Sequence, residues 1–396
     1  MEGEAPLWNS PEFDHEDWLT FAEPVERIPT DPERDLDLEG VALCLSGGGY
    51  RAMLFHAGAV WRLYETGWLG KLDRVSSVSG GSIVAGILAM NWDSLSLETP
   101  QKDLLLSHFI APLRDLAGKT LDLDASLAGA LMPGRAGNKL AKAYARHVFG
   151  EATLQDIPDK PRFIFNATNI QSGVIWRFSK PYNWNWRVGK VPHPDTTLAV
   201  AVAASSAFPP LLSPLILRYE HDDFEENTGA DLQKPPYTTR ILLTDGGVYD
   251  NLGLETAWKR HKTILVSDGG GQMKPKAKPS TRLLGHTYRV FKVVDNQVRS
   301  LRKRQLITSY ENHVREGAYW GIRTDIENYE ICEHLPCPEE DTLKLANTPT
   351  RLRKLKPVRQ KRLINWGYAV CDAAIRRYVD PSIDCPEGFP FPEARV

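Results

Sequence analysis

Hydrophobic positions along this chain change period several times, and each change marks an element. Gly40 to Leu45 reads Gly-Val-Ala-Leu-Cys-Leu, a short apolar run that stops at three consecutive glycines. A run of that length before a turn signal predicts a buried strand. Apolar residues then recur at helical spacing, at Ala52, Leu54, Ala59, Leu63 and Tyr64, until Gly67 ends the helix. Arg74 to Val78 predicts a second strand and Ile83 to Met90 an apolar helix. The order is strand, Gly-rich turn, helix, strand, Ser-rich turn, helix. That is a parallel βαβα unit, so the fold class is α/β.

Further along, residues 93–150 predict amphipathic helices broken at Pro100, Pro112 and Pro133. Strands are predicted from Phe163 to Thr168, Val174 to Phe178, Arg240 to Thr244 and Thr263 to Ser267. The longest apolar stretch, Leu198 to Leu217, contains Pro209, Pro210 and Pro214. Those prolines would break a spanning helix, so a buried helix followed by an apolar loop is predicted. His221 to Pro236 is acidic and then Pro-rich, which predicts a mobile loop. Long helices are expected over 281–310, with a basic stretch from Arg299 to Arg304, and over 357–379. Residues 1–35 are acidic and Pro-interrupted, an arm expected to pack through Trp8, Trp18 and Phe21. With no linker after Gly40, residues 36–396 read as one domain: a motif-bearing core over 40–270 and a helical, basic extension over 271–396.

Composition narrows the classes. The 396 residues are 42% hydrophobic and 25% charged, enough for a large core without covalent staples. The net charge of −2 gives no general attraction to nucleic acid, and none is expected as a partner. Five cysteines, an odd and sparse set, argue against a disulfide scaffold. Cys332, His334 and Cys337 lack a second ligand pair at zinc-site spacing, so no metal is expected. Met1 to Ala5 shows neither a basic nor an apolar signal region. The expectation is a cytoplasmic protein with transient contact at a membrane surface.

Three sites carry chemistry. Ser79, in Ser77-Val78-Ser79-Gly80-Gly81, lies between a strand and a helix among small residues. A serine on such a turn exposes its hydroxyl, as in a nucleophile elbow, although Ser77 stands where Gly is usual. The bland reading is a Ser/Gly loop capping a helix. Gly47-Gly48-Gly49, before a helix N-terminus, can turn backbone N–H groups toward an oxyanion, with Gly80 as a further donor. The same segment from Gly47 to Ala52 also reads G-x-G-x-x-A, a dinucleotide-like pattern, but the next strand ends in Ser77-Val78-Ser79 rather than an acidic residue. Asp245, at the end of an apolar strand before Gly246 and Gly247, is placed to take a proton from Ser79, or is a turn Asp capping the next helix. His56 falls about two helical turns from the glycine loop, away from its mouth, and reads as a core histidine. Arg51 anchors the loop or meets a phosphate head group. Tyr182 to Arg187, with two Trp beside Arg, forms either a membrane-touching rim or buried packing.

These motifs together resemble the patatin-like phospholipases. Gly47-Gly48-Gly49-Tyr50-Arg51 resembles that family's oxyanion loop with its trailing Arg, Ser79 falls on its nucleophile, and Asp245-Gly246-Gly247 matches its Asp-Gly-Gly block. Ala204-Ser205-Ser206-Ala207-Phe208-Pro209 resembles a further family segment. Ala52 replaces a Gly that often follows the Arg. The resemblance covers most of residues 40–270. It implies a three-layer α/β/α fold with a mainly parallel central sheet and a Ser79–Asp245 dyad. It also implies hydrolysis of phospholipid or other acyl-lipid esters with no cofactor. An acyltransferase with the same dyad, a signal-gated membrane-degrading effector and a nucleotide-binding module at Gly47 to Ala52 remain alternatives.

Overall fold

The computed structural model describes residues 39–95, 97–121 and 136–396. The N-terminal arm with Trp8, Trp18 and Phe21, and the predicted break at Pro133, lie outside them. The βαβα unit is present as β1 (Val41–Leu45), α1 (Gly49–Glu65), β2 (Leu72–Ser77) and α2 (Gly80–Met90). Helical segments at 102–117 and 136–149 follow. Next come β3 (Arg162–Asn169), β4 (Ile175–Ser179), β5 (Tyr182–Asn185) and β6 (Gly189–Pro192). The chain continues through α3 (Leu198–Ser205), β7 (Leu215–Arg218), β8 (Arg240–Asp245) and β9 (Thr263–Asp268). It closes with α4 (Leu283–Glu311), β10 (Glu316–Gly321) and α5 (Pro357–Tyr378).

The described strands form one mixed sheet of ten. Its centre runs β10-β9-β1-β2-β3, all parallel. Beyond β3 the meander β4-β5-β6 is antiparallel, and β7 pairs antiparallel with β8. Strand side chains alternate faces, and the two faces bury different cores. Leu43, Leu45 and Leu265 join α1, α2 and α5 in the larger core. Ala42, Cys44, Ile264 and Val266 pack instead against Leu252, Leu254, Trp258 and Leu306 of α4. The sheet is thus covered on both sides, as a parallel sheet must be.

The covering of α1 is nearly complete. Every residue from Gly49 to Tyr64 is buried, the state expected of a helix enclosed between a sheet and a second helix. That second helix is α5. A Cβ at Gly58 would overlap the Ile364 carbonyl, and one at Gly367 would overlap the Phe55 carbonyl, so the two backbones touch where they cross.

Of the two readings of Tyr182 to Arg187, β5 takes the buried one: it is buried throughout and the Arg177 guanidinium covers the Trp184 ring at 4.5 Å, while Trp186 and Arg187 are half-buried. One expectation is corrected. The 221–236 segment is pinned rather than free, because Glu225, Ala230 and Leu232 donate backbone bonds to Lys190, Trp186 and Arg187.

Candidate active site

Parallel strands end at one edge of the sheet, and ligands of α/β proteins bind outside that edge. Here the edge carries the glycine loop after β1, Ser79 after β2 and Gly269 to Gly271 after β9. Ser79 has φ 52° and ψ −116°, a conformation that costs a non-glycine residue free energy. Its surroundings impose it. The Val78 N–H donates to the Leu45 carbonyl at 3.0 Å, and the Ser79 N–H donates to Ser205 Oγ at 3.0 Å. Gly80 follows at the start of α2, pressed so closely on the Gly49 backbone that a Cβ would overlap the Gly49 carbonyl. The strained turn and the glycine loop are therefore assembled against each other.

Asp245 arrives from 166 positions away (245 − 79) by strand register. β2 pairs with β3 only as far as Ser77 opposite Phe165. Two positions further along β3, Ala167 pairs with Asp245 at the end of antiparallel β8. The ends of β2 and β8 thus meet head to head on the same neighbour, about 7 Å apart along β3. The Ala204–Phe208 segment braces both. Ser205 Oγ accepts from Ser79 N and donates to the Asn166 carbonyl at 2.7 Å. The Ala207 carbonyl accepts from Asp245 N at 3.0 Å, and the Ser205 carbonyl from Gly246 N at 3.2 Å. Pattern reading singled out this segment but gave Ser205 no role. It missed Asn166 altogether, because their partners are remote in sequence.

Asp245 is 2% exposed, and its Oδ1 accepts the Gly247 N–H at 2.7 Å. The Ser79 side chain lies close enough to the same carboxylate to favour its charged form. Burial dominates both effects and, with Asp295 nearby, pushes the carboxyl up to about 7. A carboxylate so placed is a much stronger base than one in water.

The glycines divide in function. The Gly47 N–H is already donated to the Asn251 carbonyl at 3.0 Å, so it is not free to bind an oxyanion. This corrects its place among the expected donors. The N–H groups of Gly48, Gly49 and Gly80 enter none of the turn, loop or cap bonds of the described residues. Gly49 and Gly80 open helices, whose first N–H groups lack intrahelical acceptors. Arg51 is buried and bonds the Gly269 and Thr348 carbonyls at 3.0 and 2.6 Å, which ties the loop to the far part of the chain. His56 is a core residue as expected. Nε2 donates to the Ser46 carbonyl at 2.9 Å, which leaves Nδ1 to accept from Ser267 Oγ at 2.7 Å. Burial pushes its imidazolium down to about 4, so the ring is neutral.

A cavity of about 700 Å³ opens over Ser79, Asp245 and the three glycines, with Phe208, Leu211 and Leu212 along its apolar side. Among the described residues no group of three or more His, Cys, Asp or Glu side chains is placed to hold a metal.

The family model described as "Patatin-like phospholipase" matches residues 43–258. No curated protein sequence matches the chain. Among solved structures, the chain is similar to VipD from Legionella pneumophila at 16% identity, over 86% of this chain and 67% of that one, with a TM-score of 0.35. It is also similar to human GIVD cytosolic phospholipase A2 in complex with methyl gamma-linolenyl fluorophosphonate. There the identity is 13%, the coverage 85% of this chain and 58% of that one, and the TM-score 0.47. A second structure of the human enzyme aligns over 46% of its length, so the chain spans about half of that protein.

Proposed function

Because the chain belongs to the patatin-like phospholipases, we propose that it is a serine-dependent lipid acyl hydrolase working through a Ser79–Asp245 dyad. In this reading Ser79 Oγ attacks the ester carbonyl carbon and its proton passes to Asp245. The tetrahedral oxyanion is held by the N–H groups of Gly48, Gly49 and Gly80, each such donor being worth about a hundredfold or more in rate. Asp245 returns the proton to the departing alcohol oxygen, leaving an acyl-serine. Water then gives a proton to Asp245 as it attacks the acyl carbon, and Asp245 passes that proton to Ser79 Oγ as the ester bond breaks, releasing the fatty acid and restoring both residues. Every step is covalent catalysis with electrostatic support, and none calls for a metal or organic cofactor.

The observation that carries this reading is the desolvated Asp245 carboxylate beside a serine held at φ 52° in the same cavity. A base serves best when its pKa lies near the working pH. The substrate is a phospholipid or other acyl lipid, its chain lying along Phe208, Leu211 and Leu212. No described helix is long and apolar enough to cross a membrane. Contact with a lipid surface would be peripheral, through exposed apolar residues lining the cavity such as Leu211 and Tyr288.

The test is fatty-acid release from phospholipid in mixed micelles, followed from pH 5 to 9. Asp245 must be ionised to accept the proton, so kcat/KM rises tenfold per pH unit from the acid side and levels off near pH 7. The Ser79→Ala protein releases none. A profile flat down to pH 5, or release by Ser79→Ala, would refute the dyad.

A further inference from the structure

The cavity over Ser79 is strongly cationic although the whole chain carries −2. Eight of its lining residues are Lys or Arg and two are Asp. At its heart are three guanidiniums from distant parts of the chain: Arg51 after the glycine loop, Arg299 on α4 and Arg323 after β10. Arg51 and Arg299 keep unpartnered nitrogens, Nη2 and Nε, although these atoms are buried. Arg51 is only 3% exposed. Burial lowers the Arg51 pKa to about 10, and repulsion from Arg299 and Arg323 adds to the effect. Two carboxylates, Asp268 at 3.5 Å and Asp295, face Arg299, whereas Arg323 donates to the Asn347 amide oxygen at 3.3 Å and makes no ion pair among the described residues. Buried N–H donors without acceptors and clustered like charges both cost free energy. A bound anion would relieve both.

We propose that Arg51, Arg299 and Arg323 seat the phosphate of an anionic acyl lipid, so that esters with a net negative head group are selected over zwitterionic ones. This deepens the hydrolase reading and rests on it for the position of the ester. In a glycerophospholipid only a few bonds separate the phosphate from the acyl carbonyl, so the phosphate site must share a cavity with the nucleophile, as these residues do. A choline group would fare badly here. Its cation would sit among Lys and Arg, and the Tyr288 face is already covered by the Lys292 ammonium at 5.4 Å. Arg299 and Arg323 lie beyond residues 43–258, the part that matches the family, so the selection belongs to this chain's extension.

The experiment uses Ser79→Ala protein and calorimetric titration with monomeric lysolipids below their micelle concentration. Lysophosphatidylglycerol binds at least about tenfold more tightly than lysophosphatidylcholine. Adding Arg323→Gln brings that ratio close to one, and Arg323→Lys restores part of it, with melting curves confirming that each variant is folded. Equal affinities, no binding of either lysolipid, or a ratio unmoved by Arg323→Gln would overturn the proposal. Inorganic phosphate binding as tightly as lysophosphatidylglycerol would also overturn it, since the ligand would then be a free anion rather than a lipid head group. Failure of the hydrolase reading looks different: the binding preference persists while Ser79-containing protein releases no fatty acid.

Discussion

Asp245→Asn is expected to lower ester hydrolysis by about a thousandfold and, at pH 8, to raise the melting temperature by several degrees. The first effect follows from losing the base, since positioned acid–base groups contribute roughly 10²–10⁴ in rate. The second follows from what holding a buried carboxylate costs. Asn has the same shape and keeps an oxygen for the Gly247 N–H, so packing is unchanged. The carboxyl is raised from 3.8 to about 7 in the fold. A raised pKa stabilises the native state below the unfolded value, and that contribution is lost as pH climbs through the folded one. Above pH 7 the wild-type protein therefore carries a cost of a few kcal/mol, at about 1.36 kcal/mol per pKa unit, which Asn removes. The gain should shrink toward zero near pH 4, where Asp245 is neutral when folded. Differential scanning fluorimetry at pH 8 and pH 4.5 checks this. A variant less stable than wild type at pH 8 would mean that the carboxylate's hydrogen bonds outweigh its desolvation.

Gly367→Ala should cost about 3 kcal/mol or more, opposite in sign to its effect on helix propensity. In an isolated helix the change is favourable by about 1 kcal/mol. In α5 the added methyl would overlap the Phe55 carbonyl of α1. That atom is backbone and cannot swing away, so the two helices must move apart. Overpacking of this kind costs more than propensity returns, and separating α1 from α5 disturbs residues buried along the whole of α1. Thermal denaturation of Gly367→Ala beside Gly388→Ala, where an added Cβ meets nothing within 4 Å, isolates the crossing. Equal melting temperatures for the two variants would contradict close backbone contact.

What the sequence made legible was local. The apolar run into Gly47-Gly48-Gly49 and the small residues around Ser79 mark strand ends on a parallel sheet, because both the turn and its glycines sit within a few positions of the strand. The missed strands lack that contrast. β5 reads Tyr-Asn-Trp-Asn, and its buried Asn183 donates its amide to the Thr196 and Tyr219 hydroxyls, partners no periodicity reveals. β10 carries two glycines. The site was legible as a set of residues but not as a geometry. That Gly47 spends its N–H on Asn251, and that Ser205 braces both Ser79 and the Asp245 strand, depends on contacts between distant segments. That Arg299 and Arg323 line one cavity with Arg51 likewise depends on the fold.

The central claim is that Ser79 is an activated nucleophile, and covalent labelling with a fluorophosphonate followed by peptide mass spectrometry tests it most directly. The account predicts a single modified peptide carrying the label on Ser79, lost in Ser79→Ala and strongly slowed in Asp245→Asn. Folded wild-type protein that stays unlabelled in the presence of lipid micelles, or takes the label on another serine, would contradict it.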